Sequence, residues 1–197
     1  MAENGDNSSS CMAGAEAVRP GFAVHFSKGD IIGEEVDALV ISVLANSHQL
    51  KGNLALGVVR AAGNDVYDCI DRHLSQQWIL PNAVEHFPAG HRLPHAKHLL
   101  LVGLLKDMAF SLQDAVYHAL VRANDLRCTS VALPAIGCGG FGYSVRQSAD
   151  SIVDAIQVFQ STFGQTMTIR KVHLCAVTSE TQRNFRRALK ASDLTVV

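Results

Sequence analysis

Residues 130–156 read SVALPAIGCGGFGYSVRQSADSIVDAI and contain three segments of different character. The first, 130–134, is apolar and typical of a buried strand. The second, 137–142, has four glycines in six residues and predicts a turn. The third has apolar residues at helical spacing and predicts an amphipathic helix over 144–163. A strand, a glycine-rich turn and a helix in this order are typical of layered α/β folds, which bind ligands beyond the carboxyl ends of their strands.

The glycine-rich turn has the composition of a phosphate-binding loop. Glycine permits positive φ and a close approach by a ligand, and N–H groups that converge at the start of a helix bind anions. We therefore predict that Gly137, Gly139, Gly140 and Gly142 donate hydrogen bonds to phosphate oxygens. The loop is not a P-loop, because no Gly-Lys-Ser or Gly-Lys-Thr follows it. The alternative is a turn that only reverses the chain between strand and helix.

The rest of the chain alternates short apolar runs with longer stretches of helical periodicity, which predicts a three-layer α/β/α sandwich around a mixed, largely parallel sheet. The predicted strands are 22–26, 38–43, 83–87, 98–103, 130–134 and 172–176. The predicted helices are 54–62, 65–76, 111–125, 144–163 and 180–191. We predict one domain over 21–197 after a disordered tail, 1–20, because the tail is rich in small and polar residues.

The composition excludes several classes of protein. Lys and Arg total 17 against 18 for Asp and Glu, so no basic surplus is present for binding extended nucleic acid. No apolar run approaches the roughly 20 residues that cross a bilayer, and no signal-peptide pattern is present at the N-terminus. We therefore expect no membrane association and an intracellular location, cytoplasmic or nuclear.

Cysteines and histidines do not form a metal-binding pattern. The five cysteines are scattered and lack Cys-x-x-Cys spacing, which is typical of free thiols rather than of disulfides or a zinc site. His95 and His98 form one His-x-x-His, but Pro94 argues against the helix that would place both rings on one face. We expect no metal ion and no cofactor.

Four motifs occur in order along the chain: KGDI at 28–31, EVDALV at 35–40, RAAG at 60–63 and LPAIGCGGFGYS at 133–144. Together they resemble the motifs of macrodomains, a family that binds ADP-ribose. KGDI at 28–31 and EVDALV at 35–40 are similar to the family's Gly-Asp-Ile turn and Val-Asp-Ala strand. RAAG at 60–63 is similar to the sequence that closes the helix after the family's first glycine loop, and LPAIGCGGFGYS at 133–144 resembles the second phosphate loop. The resemblance runs from about Phe22 to Leu189 and implies the macrodomain fold.

The resemblance also implies positions for an ADP-ribose-like nucleotide. Asp30 would accept a hydrogen bond from the adenine amino group, and the Ile31 backbone would complete that contact. Without a ligand, Asp30 is a turn or capping residue. Phe141 would pack against the distal ribose, the alternative being core packing beneath the loop. Asn46 is the candidate for the family's ribose-contacting asparagine.

The chain departs from the hydrolytic macrodomains in two segments. Residues 41–46 read ISVLAN where those enzymes have Asn-Ala-Ala-Asn, and residues 51–57 read KGNLALG where they have a glycine run and an acidic residue. We predict Gly52 as the ligand contact that remains from the glycine run. The acidic position falls on Ala55, which cannot orient or activate water. The adenine-stacking aromatic is replaced by Val177, which weakens or alters base recognition.

Cys138 is a predicted ligand contact and a candidate reactive thiol. It lies in the glycine loop close to a helix N-terminus, an environment that lowers thiol pKa values. A catalytic thiol needs a nearby base, and the sequence does not single out one among His48, His91 and His95. The alternative is a small residue that fills space.

Three functions remain open. The leading hypothesis is a module that binds ADP-ribose, ADP-ribosylated protein or a related nucleotide diphosphate, and so reads ADP-ribosylation. The second is an ADP-ribosyl hydrolase with non-standard catalytic residues. The third is a non-binding scaffold that resembles the N-terminal domain of leucyl aminopeptidases, because HAKHLLLVGLLKD at 95–107 is similar to a strand there.

Overall fold

A six-stranded sheet is the centre of the computed structural model, which describes residues 22–106 and 111–197. Its strands are β1 (Ala23–Ser27), β2 (Ala38–Leu44), β3 (Val84–Pro88), β4 (His98–Leu104), β5 (Ser130–Leu133) and β6 (Lys171–Cys175). Their order is β1-β6-β5-β2-β4-β3, with β3 antiparallel to β4 and all other neighbours parallel. The predicted mixed, largely parallel sheet is confirmed, and the predicted tail, 1–20, lies outside the described residues.

Helices cover both faces of this sheet. They are α1 (Asn53–Ala62), α2 (Asn64–Gln76), α3 (Ser111–Asp125), α4 (Val145–Phe163) and α5 (Ser179–Lys190), with 3₁₀ turns at Ile31–Gly33 and Gly164–Thr166. The core residues of α1 and α2 belong to one buried cluster, and those of α3, α4 and α5 belong to another. The three-layer sandwich is therefore confirmed, and each predicted strand and helix ends within one residue of its predicted bounds.

The central strands are buried on both faces, as their apolar sequences predict. In β2, Val40 points into the cluster of α3, α4 and α5, whereas its neighbours Leu39 and Ile41 point into the cluster of α1 and α2. In β4, Leu100 and Leu101 divide between the two clusters in the same way. Because successive side chains of a strand face opposite sides, an unbroken apolar run supplies both cores.

Asp37, just before β2, connects the starts of three strands. Its Oδ2 accepts from the backbone N–H and the hydroxyl of Thr129, both at 2.7 Å, and its Oδ1 lies 2.7 Å from Lys97 Nζ. Its own N–H donates to Ser130 Oγ at 2.9 Å. Burial raises the pKa of the Asp37 carboxyl, but the hydrogen bonds from Lys97 and Thr129 outweigh burial and lower the pKa to about 2. The ionised carboxylate thus stabilises the folded sheet.

We expect Asp37→Asn to lower the free energy of unfolding at pH 7 by about 2 kcal/mol, since the favoured ionised form is lost. The folded-state pKa lies below the ordinary value of 3.8, so this stabilisation is present above about pH 4 and is lost as the pH falls towards 2. Urea unfolding of both proteins between pH 7 and pH 2 measures the difference.

Asp71→Asn is the matched control, because Asp71 is an exposed carboxylate on α2 and the charge change is the same. We expect little effect from the control at any pH. A difference between wild type and Asp37→Asn that stays constant down to pH 2 would contradict the role of the ionised carboxylate.

The two histidines of the His-x-x-His sequence have separate partners. His95 Nδ1 lies 3.9 Å from Glu35 Oε1, whereas His98, at the start of β4, has its Nδ1 2.8 Å from His86 Nε2. Within 22–106 and 111–197, no group of three or more His, Cys, Asp or Glu side chains is arranged to hold a metal ion. Among the described helices, none has both the length and the apolarity that a bilayer crossing requires.

Candidate functional site

The glycine loop, residues 137–142, connects β5 to α4 and is shaped by two glycines. Gly137 and Gly142 have φ of +82° and +85°, values that favour glycine. Within the described residues, no backbone carbonyl accepts from the N–H groups of Gly139, Gly140 or Phe141. Gly139 and Gly140 are exposed, so their N–H groups are open to solvent, and successive N–H groups without a backbone acceptor form an arrangement that can bind an anion.

Two helices begin beside this loop. At the start of α4, Ser144 accepts from the Gln147 N–H and Gln147 accepts from the Ser144 N–H, a capping box that fixes the first turn. At the start of α1, Gly52 has φ of +112° and provides no side-chain cap. The first residues of α1 and the glycine loop line the same space, where the positive end of the α1 dipole favours a negatively charged ligand.

Between the start of α1 and the glycine loop lies a cavity of about 360 Å³, here called the glycine cleft. It is lined by Ser42, Gly52, Asn53, Leu54, Ala55, Ala135, Gly137, Gly139, Gly140 and Phe141. An adjoining cavity of about 300 Å³ shares Gly52, Gly140 and Phe141 with the cleft and is completed by Leu44, Lys51 and Lys106. The shared residues make the two cavities parts of one continuous depression.

The sequence of this chain matches a known protein family. A sequence model of the Macro domain family matches residues 45–152, more than half of the chain. The chain belongs to the macrodomain family. This finding confirms the resemblance seen in the sequence motifs.

Some proteins similar to this chain are much longer than it, whereas others have about the same length. A Thermotoga maritima protein is 30% identical over 172 residues, covering 84% of this chain but 28% of that protein. An O-acetyl-ADP-ribose deacetylase from Citrobacter rodentium is 28% identical over 172 residues, covering 84% of this chain and 94% of the deacetylase. The crystal structure of a Trypanosoma brucei macrodomain in complex with ADP has a TM-score of 0.73 at 14% identity, covering 86% of this chain and 69% of that one. At that identity, the structural match shows the fold.

The macrodomain fold brings together five of the predicted ligand contacts: Gly52, Gly137, Gly139, Gly140 and Phe141. Phe141 is 8% exposed, belongs to the buried cluster of α3, α4 and α5, and lines both cavities. The two interpretations of Phe141 are therefore compatible, since the ring packs in the core and also borders the site. Gly142 and Cys138 line neither cavity.

The predicted adenine contacts lie outside both cavities. Asp30 is exposed and caps the turn Ile31–Gly33, with its Oδ1 accepting from the Ile32 N–H at 3.2 Å. Ile31 is buried in the core, and Val177, beyond the end of β6, is 73% exposed. Asp30 therefore acts as a capping residue in this structure, and its side chain is also exposed to solvent.

Asn46 also lies apart from the two cavities. It is exposed and has φ of +56°, and its N–H donates to the Ile79 carbonyl at 2.9 Å. Asparagine tolerates this left-handed conformation better than most residues. The structure therefore gives Asn46 a role in the turn after β2.

The expectation of a lowered thiol pKa at Cys138 is wrong. Burial raises the pKa of the Cys138 thiol, and the carboxylate of Glu180 acts in the same direction. Within the described residues, neither cavity is lined by a histidine that could act as a base. Cys138 therefore has the environment of a structural thiol rather than that of a nucleophile.

The sequence interpretation did not include several residues that line the candidate site. Ser42 and Asn53 line the glycine cleft, and Lys51 and Lys106 line the adjoining cavity. Asn53 and Lys51 flank Gly52, so their position beside a predicted contact was a usable signal. Ser42 lies within β2 and Lys106 lies beyond the end of β4, so only the fold brings them to the same depression.

The glycine cleft contains Ala55, the residue that the motif comparison predicts at the acidic position of hydrolytic macrodomains. Ala55 is fully buried at the first turn of α1 and lines the cleft. Within the described part of the chain, no residue that lines either cavity carries a carboxylate. A water molecule in the cleft would therefore have no general base among these side chains.

Proposed function

We propose that this macrodomain binds ADP-ribose, free or attached to protein, and acts as a reader of ADP-ribosylation. The observation that carries the proposal is the set of N–H groups at Gly139, Gly140 and Phe141 without a backbone acceptor among the described residues, beside a cleft that the start of α1 also lines. Membership of the macrodomain family and a relative described as an O-acetyl-ADP-ribose deacetylase support this ligand.

In the proposed complex, the diphosphate lies on the glycine loop. Backbone N–H groups bind phosphate oxygens without the large desolvation cost of burying a cationic side chain. The start of α1, which lines the same cleft, adds a favourable dipole. An added Cβ at Gly139 or Gly140 would meet no atom within 4 Å, so both glycines leave space in which a phosphate group fits.

The distal ribose is proposed to lie against Phe141, and the side of the ribose that faces away from the diphosphate is proposed to face the adjoining cavity. Phe141 and Gly140 border both cavities, so a ligand can pass from one to the other. Gly52 would contact the ribose from the α1 side, and Asn53 offers an amide for its hydroxyl groups. A protein carrying ADP-ribose would then enter from the side of Lys51 and Lys106.

The adenine is proposed to bind near Asp30, the Ile31 backbone and Val177, and Asn46 remains a proposed ribose contact. Asp30 and Val177 are exposed and thus available to a base. An aliphatic residue at 177 offers less contact area than an aromatic ring. We therefore expect weaker adenine recognition than in macrodomains that stack the base.

The direct test is isothermal titration calorimetry with ADP-ribose, for which we expect saturable binding of one ligand per chain. A thermal-shift comparison with NAD and AMP should rank ADP-ribose first. Failure of all three nucleotides to bind would overturn the proposal and favour the non-binding scaffold. Free thiols at the four described cysteines support an intracellular location, which is part of the proposal.

Hydrolysis is the second candidate, because one relative is described as a deacetylase. We expect the wild type to bind an ADP-ribosylated protein but to release no ADP-ribose under single-turnover conditions, since Ala55 lines the cleft and no carboxylate does so among the described residues. Chromatography of the reaction mixture measures release. Release of ADP-ribose with enzyme in excess would mean that an unrecognised group activates water.

We expect Asp30→Ser to weaken ADP-ribose binding about tenfold, since a charge-assisted acceptor for the adenine amino group is lost. Serine keeps an oxygen that can cap the turn Ile31–Gly33. Calorimetry with the inosine analogue of ADP-ribose is the control, because its base lacks the amino group. The adenine assignment fails if the substitution leaves the preference for ADP-ribose over the inosine analogue unchanged.

A further inference from the structure

A separate cavity of about 830 Å³ lies along α5 and shares no residue with the glycine cleft or its adjoining cavity. We call it the α5 groove. One side is formed by the second half of α5, and the other includes Phe26 of β1 and Val196. Val196 is 48% exposed, and Phe26 packs at the edge of the buried core. The groove therefore offers an apolar surface open to solvent.

The opposite side of the α5 groove is strongly cationic. Helix α5 carries Arg183, Arg186, Arg187 and Lys190 against a single acid, Glu180, although the whole chain has a net charge of −1. These four cations all line the groove. The chain as a whole has no excess of positive charge, but four cationic side chains are concentrated beside one apolar surface. This arrangement favours an anionic partner with an apolar part.

The individual cations differ in their availability. Arg187 pairs with Asp150 at 2.5 Å, and its Nε is buried without an acceptor among the described residues. The Arg186 guanidinium lies 5.3 Å from the centre of the Phe26 ring, a cation–π contact that leaves its charge unneutralised. Arg183, Arg186 and Lys190 are exposed, and no salt bridge within the described ranges involves them.

The spacing of the available cations limits the chemistry of the partner. Residues 183, 186 and 190 are three and four apart, so they lie on one helix face over about 10 Å. One carboxylate or phosphate group cannot contact all three. Carboxylates at alternate positions of an extended peptide are about 7 Å apart, and the chain between them can direct an apolar side chain towards the exposed Val196.

We propose that the α5 groove binds an acidic peptide segment whose glutamates or aspartates alternate with apolar residues. A nucleic-acid strand fits less well, because single strands stack their bases on open aromatic faces and the Phe26 ring is covered by Arg186. The peptide site is separate from the glycine cleft, so a partner protein can bind here while ADP-ribose occupies the cleft.

The test is fluorescence anisotropy of a fluorescein-labelled peptide of alternating glutamate and leucine, titrated with the full chain. We expect saturable binding, and at least about tenfold weaker binding of the same peptide with glutamine in place of glutamate, because the charge pairs are lost. Arg183→Glu combined with Arg186→Glu should weaken binding of the acidic peptide by at least about tenfold. Val196→Ser should weaken it about threefold by removing apolar contact.

Arg60→Glu combined with Arg72→Glu is the matched control, because both residues are exposed on α1 and α2 and the charge change is identical. The control should leave peptide binding within about twofold of wild type, since these charges are remote from the groove. Both double variants should retain wild-type affinity for ADP-ribose. The proposal is overturned by equal effects of the two double variants, by equal binding of the glutamine peptide, or by tighter binding of an oligothymidylate than of the acidic peptide.

Discussion

Replacement of Gly140 by glutamate is expected to weaken ADP-ribose binding at least about a hundredfold, equivalent to some 2.7 kcal/mol. Gly140 lines both cavities, and an added Cβ would meet no atom within 4 Å. The new side chain can therefore enter the glycine cleft without displacing the protein. It would place bulk and negative charge where the diphosphate is proposed to bind, and like charges at short range in a partly desolvated site repel strongly.

Gly140→Gln separates the two contributions, because glutamine has the same bulk without the charge. We expect its ADP-ribose affinity to lie between those of the wild type and Gly140→Glu. Calorimetry gives the dissociation constants, and urea unfolding verifies that both variants are as stable as the wild type, as a surface loop should allow. If Gly140→Glu folds and binds ADP-ribose with wild-type affinity, the diphosphate lies elsewhere and the proposed function fails.

The fold could be predicted from the sequence because its signals are local and strong. Apolar runs such as 98–103 are long enough to identify strands buried on both faces, and the periodicity of 144–163 identifies a long amphipathic helix. The start of that helix was predicted at Ser144, which the structure makes the cap residue of α4. Asp30 was predicted as a turn or capping residue, but the 3₁₀ turn Ile31–Gly33 that it caps was not among the predicted elements, because a single turn has no periodicity to detect.

The candidate site could be predicted only in part. The glycine loop is one continuous segment, so its composition reveals it. Lys106 reaches the adjoining cavity from the end of β4, and Ser42 reaches the glycine cleft from within β2. Neither position has a sequence signal, since only the parallel order of the strands brings these segments to the same edge of the sheet.

Cys138 shows why the electrostatic prediction failed. Its position near the start of α4 is visible in the sequence and favours a lowered thiol pKa. Its burial is not visible there, because burial depends on how the loop packs against α4 and α5. In the structure, burial is the largest influence on the pKa of this thiol and raises it.

Gly137 is expected to contribute to the stability of the loop rather than chiefly to ligand binding. We expect Gly137→Ala to lower the free energy of unfolding by about 3 kcal/mol, the sum of left-handed backbone strain and overpacking. Gly137 has φ of +82°, and an added Cβ would lie 2.5 Å from Tyr143 Cδ2. Tyr143 is 6% exposed and its hydroxyl donates to the Leu105 carbonyl at 3.0 Å, so the ring cannot move aside easily.

Gly139→Ala is the matched control, because it makes the same chemical change two residues away in the same loop. An added Cβ at Gly139 would meet no atom within 4 Å, and its φ lies outside the left-handed range. We expect its free energy of unfolding to stay within about 0.5 kcal/mol of wild type. Urea unfolding monitored by circular dichroism compares the two variants at pH 7. Equal stability of Gly137→Ala and Gly139→Ala would mean that the loop can relax around the new methyl group, and that positive φ at Gly137 is not what fixes the shape of the glycine loop.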